Sequence, residues 1–260
     1  MLRTESPHTL WQIRELVMSD DWDFYPLLVD SEPASIYLDL GLARYAPIES
    51  QPHLAYVRVQ MLRPRPDGLS SAEEFEDLSA LEDSLSEVFA GSRSTTYAGR
   101  NTSSGNRDFY FYTSDLEAFA RSVQTAMVHQ SDYRFEIGDR LDRIWNTYFD
   151  FLYPSPDDLQ RILNRRVVNN LATHGDNASE PRPIDHLAYL PDATAAASLR
   201  DHLHKHGFSV DEPRIDGGTV AVSFNRTDPP EDIDDVVIPI ARRIQELGGE
   251  YDGWGCEVAN

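Results

Sequence analysis

Cysteine is almost missing from this chain of 260 residues: Cys256 stands alone, so no intrachain disulfide can form and no Cys-rich metal site can be built. Basic residues are scarce as well, 23 Lys and Arg against 44 Asp and Glu, for a net charge of -21. That charge repels nucleic-acid phosphates and anionic membrane surfaces over a Debye length, which disfavours direct RNA or DNA binding. No segment approaches the ~20 apolar residues of a membrane span. Met1-Leu2-Arg3-Thr4-Glu5-Ser6-Pro7 has no apolar core of the signal-peptide kind, so the expected location is cytoplasmic. A Gly-rich phosphate loop is absent too, because Gly248-Gly249 follows a helical pattern instead of opening one. What remains is 40% apolar, enough to give cores to one large or two small domains.

Periodicity divides the chain. Ile36, Leu38 and Leu40, and then Ala55, Val57, Val59 and Met61, alternate as half-buried strands. Ser71-Ala72-Glu73-Glu74 reads as a capping box before a helix with Phe75, Leu78, Leu81, Leu85 and Phe89 on its inner face. Its outer face gathers Glu73, Glu74, Glu76, Asp77, Glu82, Asp83 and Glu87. Strands around Thr95 to Ala98 and Asp108 to Tyr112 flank a polar turn, and Ser114 with Glu117 reads as a second capping box. Leu116, Phe119, Val123 and Met127 give that helix its face, and Tyr133, Phe135 and Ile137 form a strand after it. An aromatic run ends at Tyr153-Pro154-Ser155-Pro156, which places a domain boundary between residues 1–153 and 154–260.

Beyond it, a helix with Leu159, Leu163, Val167 and Leu171 inward ends at Gly175. Then come strand, helix, two strands, helix and strand, the order of a ferredoxin-like α/β sandwich with helices on one face of an antiparallel sheet. Pro239 inside the last helical pattern implies a kink or a start near that residue. At the end of the chain, Gly248 or Gly249 caps the helix, Tyr251 opens a strand and Asp252-Gly253 turns it. Asp108, Tyr112 and Asp115 match Asp185, Tyr189 and Asp192 in spacing, the basis for expecting the N-terminal half to be a similar α+β sandwich.

Residues able to do chemistry are few. His202 and His206 share a helical face four residues apart, a spacing that can chelate zinc, but Lys205 opposes a cation and the exposed end of a helix explains the histidines as well. Asp185 and His186 are adjacent on a strand and point to opposite faces, so they form no dyad; Glu257 beside Cys256 disfavours a thiolate. No catalytic, metal or cofactor site is therefore assigned. Tyr251 and Trp254 place large aromatic area on a backbone bared by glycine, which suits a packed edge or a contact surface. A small-ligand or metal-binding protein with a pocket between the two domains is the alternative.

Four motifs of the last hundred residues carry a resemblance: His174-Gly175-Asp176; Arg182, Asp185 and His186; Lys205-His206-Gly207-Phe208-Ser209-Val210 with Glu212-Pro213; and Glu250-Tyr251-Asp252-Gly253-Trp254-Gly255. This segment resembles the regulator of ribonuclease activity B family, bacterial proteins that bind ribonuclease E and restrain it. Arg107-Asp108-Phe109-Tyr110-Phe111-Tyr112 and the run ending Leu152-Tyr153-Pro154, within a unit starting near Trp11, resemble a bacterial family of unknown function. The resemblance implies a non-catalytic regulator of RNA turnover whose protein partner has a basic, ribonuclease E-like surface, with Tyr251, Asp252, Trp254, Asp185 and His186 as contact residues. Acid that the family carries in a tail would here come from Asp228, Glu231, Asp232, Asp234 and Asp235, or from the helix around Glu73 to Glu87.

Overall fold

A computed structural model describes residue 19, residues 21–130 and residues 132–259; Met1 to Pro7 and Trp11 lie outside the described residues. The chain falls into two compact units that divide between Tyr153 and Pro154. Both are α+β, each built on an antiparallel sheet.

In the first unit β1 (Trp22–Val29), β2 (Glu32–Asp39), β3 (His53–Gln60), β4 (Thr95–Ser103), β5 (Asn106–Thr113) and β6 (Phe135–Leu141) form a sheet of order β1-β2-β4-β5-β3-β6. Helices α1 (Phe75–Glu87) and α2 (Leu116–Met127) pack on one face of it. Strand alternation sends Ala55, Val57, Val59, Phe109 and Phe111 to that face, where they meet Leu78, Leu81, Leu85, Phe119 and Val123. Each large side chain so buried contributes roughly 1.5–3 kcal/mol. The other face carries Tyr112, stacked on Trp145 at 3.8 Å between ring centroids. Trp145 has left-handed backbone, φ 58°, and is buried together with Tyr148 and Leu152 of the π-helical turn Thr147–Leu152. Asp142 secures that turn by accepting from the Asn146 and Thr147 N–H groups and the Tyr112 hydroxyl.

Both expected capping boxes are replaced. Ser71 makes no cap bond; Glu74 turns inward, fully buried, and its two oxygens accept from the Leu62 and Arg63 N–H groups at 2.7 and 2.6 Å. Those donors at the end of β3 would otherwise be orphaned, a larger penalty than a missing helix cap. At the second helix Asp115, not Ser114, is the cap and accepts from Ala118 N–H. Phe75, expected inside, is 55% exposed.

The second unit comprises α3 (Pro156–Thr173), β7 (Arg182–Leu190), α4 (Ala193–Lys205), β8 (Ser209–Val210), β9 (Arg214–Asp216), β10 (Thr219–Asp228), α5 (Ile233–Glu246) and β11 (Glu250–Gly255). Its sheet runs β11-β7-β10-β8, with β9 also paired to β10. Ile184, Ala188 and Leu190 of β7 pack beneath Leu199 and Leu203 of α4 and Val237, Ile240 and Ile244 of α5. The opposite face of the sheet bears Asp185, exposed, and Leu187 and Tyr189, half-buried. Helix α5 runs through Pro239, whose ring is exposed, so the carbonyl four residues earlier that loses its N–H partner can turn to water. On α3 the inward residues are Ile162, Asn164 and Leu171, while Leu163 is 43% exposed: the buried stripe is rotated by a residue from the expected one.

The two units share a connection pattern. From β6, the first sheet reads β6-β3-β5-β4, fourth, first, third and second strand of β3-α1-β4-β5-α2-β6; from β11, the second reads β11-β7-β10-β8 in the same sense. The first unit adds the β1–β2 hairpin beyond β4. The expected residue correspondence does not follow this equivalence. Asp108 and Tyr112 lie on β5, a third strand, whereas Asp185 and Tyr189 lie on β7, a first strand. Both precede helices, and strands entering helices commonly end in aromatic and capping residues.

Candidate functional site

Strand β11 decides where the distinctive C-terminal residues point. It pairs with β7 through Tyr251↔Ala188, then skips a residue and resumes at Gly253↔Leu187 and Trp254↔His186. Simple alternation would send Tyr251 and Trp254, three residues apart, to opposite faces; the bulge at Asp252 brings both to the helix side. Gly253 supplies the positive φ, 139°, that the bulge requires. Asp252-Gly253, expected to turn the chain, instead lies inside a strand that continues to Gly255.

On that side Trp254 Nε1 donates to Asn164 Oδ1 of α3 at 3.0 Å, and Gln160 Nε2 donates to the same oxygen. Asn164 Nδ2 in turn donates to Asp234 of α5 at 2.7 Å. One buried amide therefore ties α3, α5 and β11 together. The Tyr251 hydroxyl meets His186 Nδ1 at 2.8 Å, and the His186 ring stacks on Phe224 at 5.0 Å. Burial pushes the imidazole down to about 4, with Asp228 opposing and Arg226 reinforcing the shift. The ring is neutral at neutral pH, and among the described residues its buried Nε2 has no hydrogen-bond partner. Burial likewise raises the Tyr251 phenol far above its ordinary value.

Arg182 and Asp176 form a second fastening. Arg182 Nη2 donates to both Asp176 oxygens at 2.7 Å, Arg182 Nε lies 3.3 Å from Cys256 Sγ, and Asp176 also accepts the Ala259 N–H. Burial works to raise the Asp176 carboxyl, but the Ala259 N–H and the guanidinium hold it below its ordinary range.

The remaining expected contact residues lie elsewhere. Asp185 and Asp252 line a shallow concavity of about 600 Å³ together with Asp211, Arg214 and Asn225, three carboxylates against one guanidinium. Asp232 and Asp235 are exposed at the start of α5. Sequence reasoning thus picked residues that the fold sorts into three groups: an interior network of Tyr251, His186, Trp254 and Asp234; a sheet-face pair, Asp185 and Asp252; and a helix-end pair. It missed Asn164, whose one signal was a polar residue in step with Val168 and Leu171 on the helix. His202 and His206 do share a face, rings 4.3 Å apart, but among the described residues no group of three or more His, Cys, Asp or Glu is placed to hold a metal. Among the described residues no helix is long and apolar enough to cross a membrane.

No curated protein matches the chain. Solved structures that align with it include an unknown protein from Galdieria sulphuraria, at 13% identity over 80% of this chain and 99% of that one, TM-score 0.21. Another is a putative glycine cleavage system transcriptional repressor, at 6% identity over 79% and 98%, TM-score 0.21. A chlorite dismutase variant from Candidatus Nitrospira defluvii aligns at 10% identity over 78% and 87%, TM-score 0.22. Family models divide the chain as its fold does: residues 161–256 match the regulator of ribonuclease activity B, and residues 20–153 match DUF695, so the chain belongs to that family of unknown function.

Proposed function

We propose that the second unit is a non-catalytic protein-binding module that restrains a ribonuclease of the E type by occupying a basic surface of the enzyme or of its scaffold region. The observation that supports this reading most is the acidic concavity with Asp185, Asp211 and Asp252, which lies inside the segment matching the regulator family. In this reading the unit is a ferredoxin-like sandwich whose face opposite α4 and α5 docks on the partner. Asp185 and Asp252 make first contact and Asp232 and Asp235 extend the field. Tyr251, Trp254, His186 and Asp234 hold β11 in the bulged form that presents Asp252. The net charge of -21 speeds encounter with a cationic surface and makes the association weaken with salt. In this reading the protein works in the cytoplasm, a reducing compartment that suits a chain with Cys256 as its single cysteine.

The test is titration of the purified chain into ribonuclease E with cleavage rate and complex formation followed together. Inhibition that declines from low to high ionic strength, and an affinity reduced about tenfold when Asp185 and Asp252 are both changed to Asn, is the expected result. Cleavage unaffected by excess protein, with no complex at low salt, would sink the proposal.

A further inference from the structure

The first unit holds a groove that this function does not use. Where the β1–β2 hairpin extends the sheet past α1, a cavity of about 820 Å³ opens, walled by Trp22, Tyr37, Tyr97 and Phe75 with Glu82 and Arg100 at its floor. That volume is in the range of sites that take small organic molecules. The Trp22 ring stacks on Tyr37 at 5.0 Å between centroids and lies 5.1 Å from Tyr97, a broad π surface, and Phe75 stands 55% exposed at the rim. An aromatic residue left in water at the start of a helix facing a cavity forgoes the stabilisation of burial, which a flat ligand would restore.

The polar lining carries Asp39, Glu82 and Asp83 with Arg93 and Arg100, and around Glu82 the donors outnumber the acceptors. Glu82 spends one oxygen on the Tyr97 hydroxyl, 2.9 Å, and the other on Arg100 Nε, 2.6 Å. Arg107, 2% exposed, has its Nη1 3.8 Å from the same oxygen, and among the described residues its Nε and Nη1 have no hydrogen-bond partner. Two guanidinium groups therefore converge on one carboxylate; Glu74, the next acid that Arg107 senses, has both oxygens committed to backbone N–H groups. Arg100 lies over the Tyr37 ring at 4.8 Å, and among the described residues its terminal amino groups meet no acceptor. Asp39, also in the wall, accepts from Gly41 N–H, and Asp83 is exposed at the edge.

We propose that this groove binds a planar aromatic ligand carrying an anionic oxygen group, its ring against Trp22 and Phe75 and its oxygens on the terminal amino groups of Arg100. Guanidinium recognises carboxylate, sulfonate or phosphate oxygens through paired N–H donors, and the aromatic wall selects a flat partner.

The probe is 1-anilinonaphthalene-8-sulfonate, titrated into the full chain and followed by its fluorescence and by quenching of tryptophan emission. One saturable site is expected. Its affinity falls about tenfold in Arg100→Gln and severalfold in Phe75→Ala, and the uncharged N-phenyl-1-naphthylamine binds wild type about tenfold more weakly and ignores Arg100→Gln. If Arg100→Gln loses its fold by far-UV circular dichroism, the exposed Phe75→Ala variant and the charged-against-neutral comparison on wild type decide. Equal binding of the two probes, or an anionic probe indifferent to Phe75→Ala, overturns the proposal.

Discussion

Acid should loosen the second unit through His186. In the unfolded chain this imidazole takes its proton near 6.5; in the folded protein burial lowers that to about 4. Between those values the unfolded chain binds the extra proton, so stability is fully present above pH 6.5 and is lost as pH falls toward 4. The full span, two and a half pH units at 1.36 kcal/mol each, comes to about 3 kcal/mol, and the loss between pH 7 and pH 5 is about 2 kcal/mol. The groups facing the ring are the Tyr251 hydroxyl, Asp228 and Arg226; Asp228 favours the imidazolium and Arg226 opposes it, and burial dominates both. Urea unfolding at pH 5, 6 and 7, compared between wild type and His186→Gln, separates this contribution from the many carboxylates, which titrate in both proteins. The wild type is expected to lose about 2 kcal/mol more than the variant over that interval. The His186 ring resonance, identified by its absence in the variant, should titrate near 4. Parallel pH dependence in the two proteins, or a resonance that titrates near 6.5, refutes the burial argument.

Asn164→Ala removes the acceptor of Trp254 and the donor to Asp234, and should cost about 2–4 kcal/mol in chemical unfolding with a red shift of Trp254 emission. Asn164→Asp keeps the acceptor but sets a second carboxylate beside Asp234, and should be at least as damaging. Gly253→Ala meets no atom within 4 Å, so its cost is conformational, about 1–3 kcal/mol, with faster amide exchange confined to β11 and its β7 partner residues. Arg182→Ala leaves the Asp176 carboxylate without its guanidinium and frees the chain around Ala259; a lower denaturant midpoint and faster alkylation of Cys256 are expected, measured by chemical unfolding and thiol labelling.

Much of the architecture could be read from one dimension, because alternation and helical spacing are local. The strands through Ala55 to Val59 and Ile184 to Leu190, the helices after Ser71 and Asp192, and the break at Pro154 are all patterned within a window shorter than one element. The glycine-rich ending likewise marked a special strand. Strand β1 and the short β9 had no reading of their own, since their residues lack a clean period. The inner face of α3 was misjudged by a residue because four aliphatic side chains at helical spacing outweighed one asparagine.

What tertiary structure alone decided is the direction of side chains whose partners are distant in sequence. Composition, charge, element order and the identity of the candidate residues belonged to the sequence, because each depends on neighbours a few positions away. That Glu74 caps a strand end instead of a helix, that Tyr251 and Trp254 face the same way, and that Asn164 joins residues 90 and 70 positions ahead of it depended on register between segments. A one-residue bulge reverses which face a side chain occupies, and its placement is set by packing energies summed over several elements. The aspartates of the second unit are therefore legible as a string, while which of them face water is a property of the folded unit.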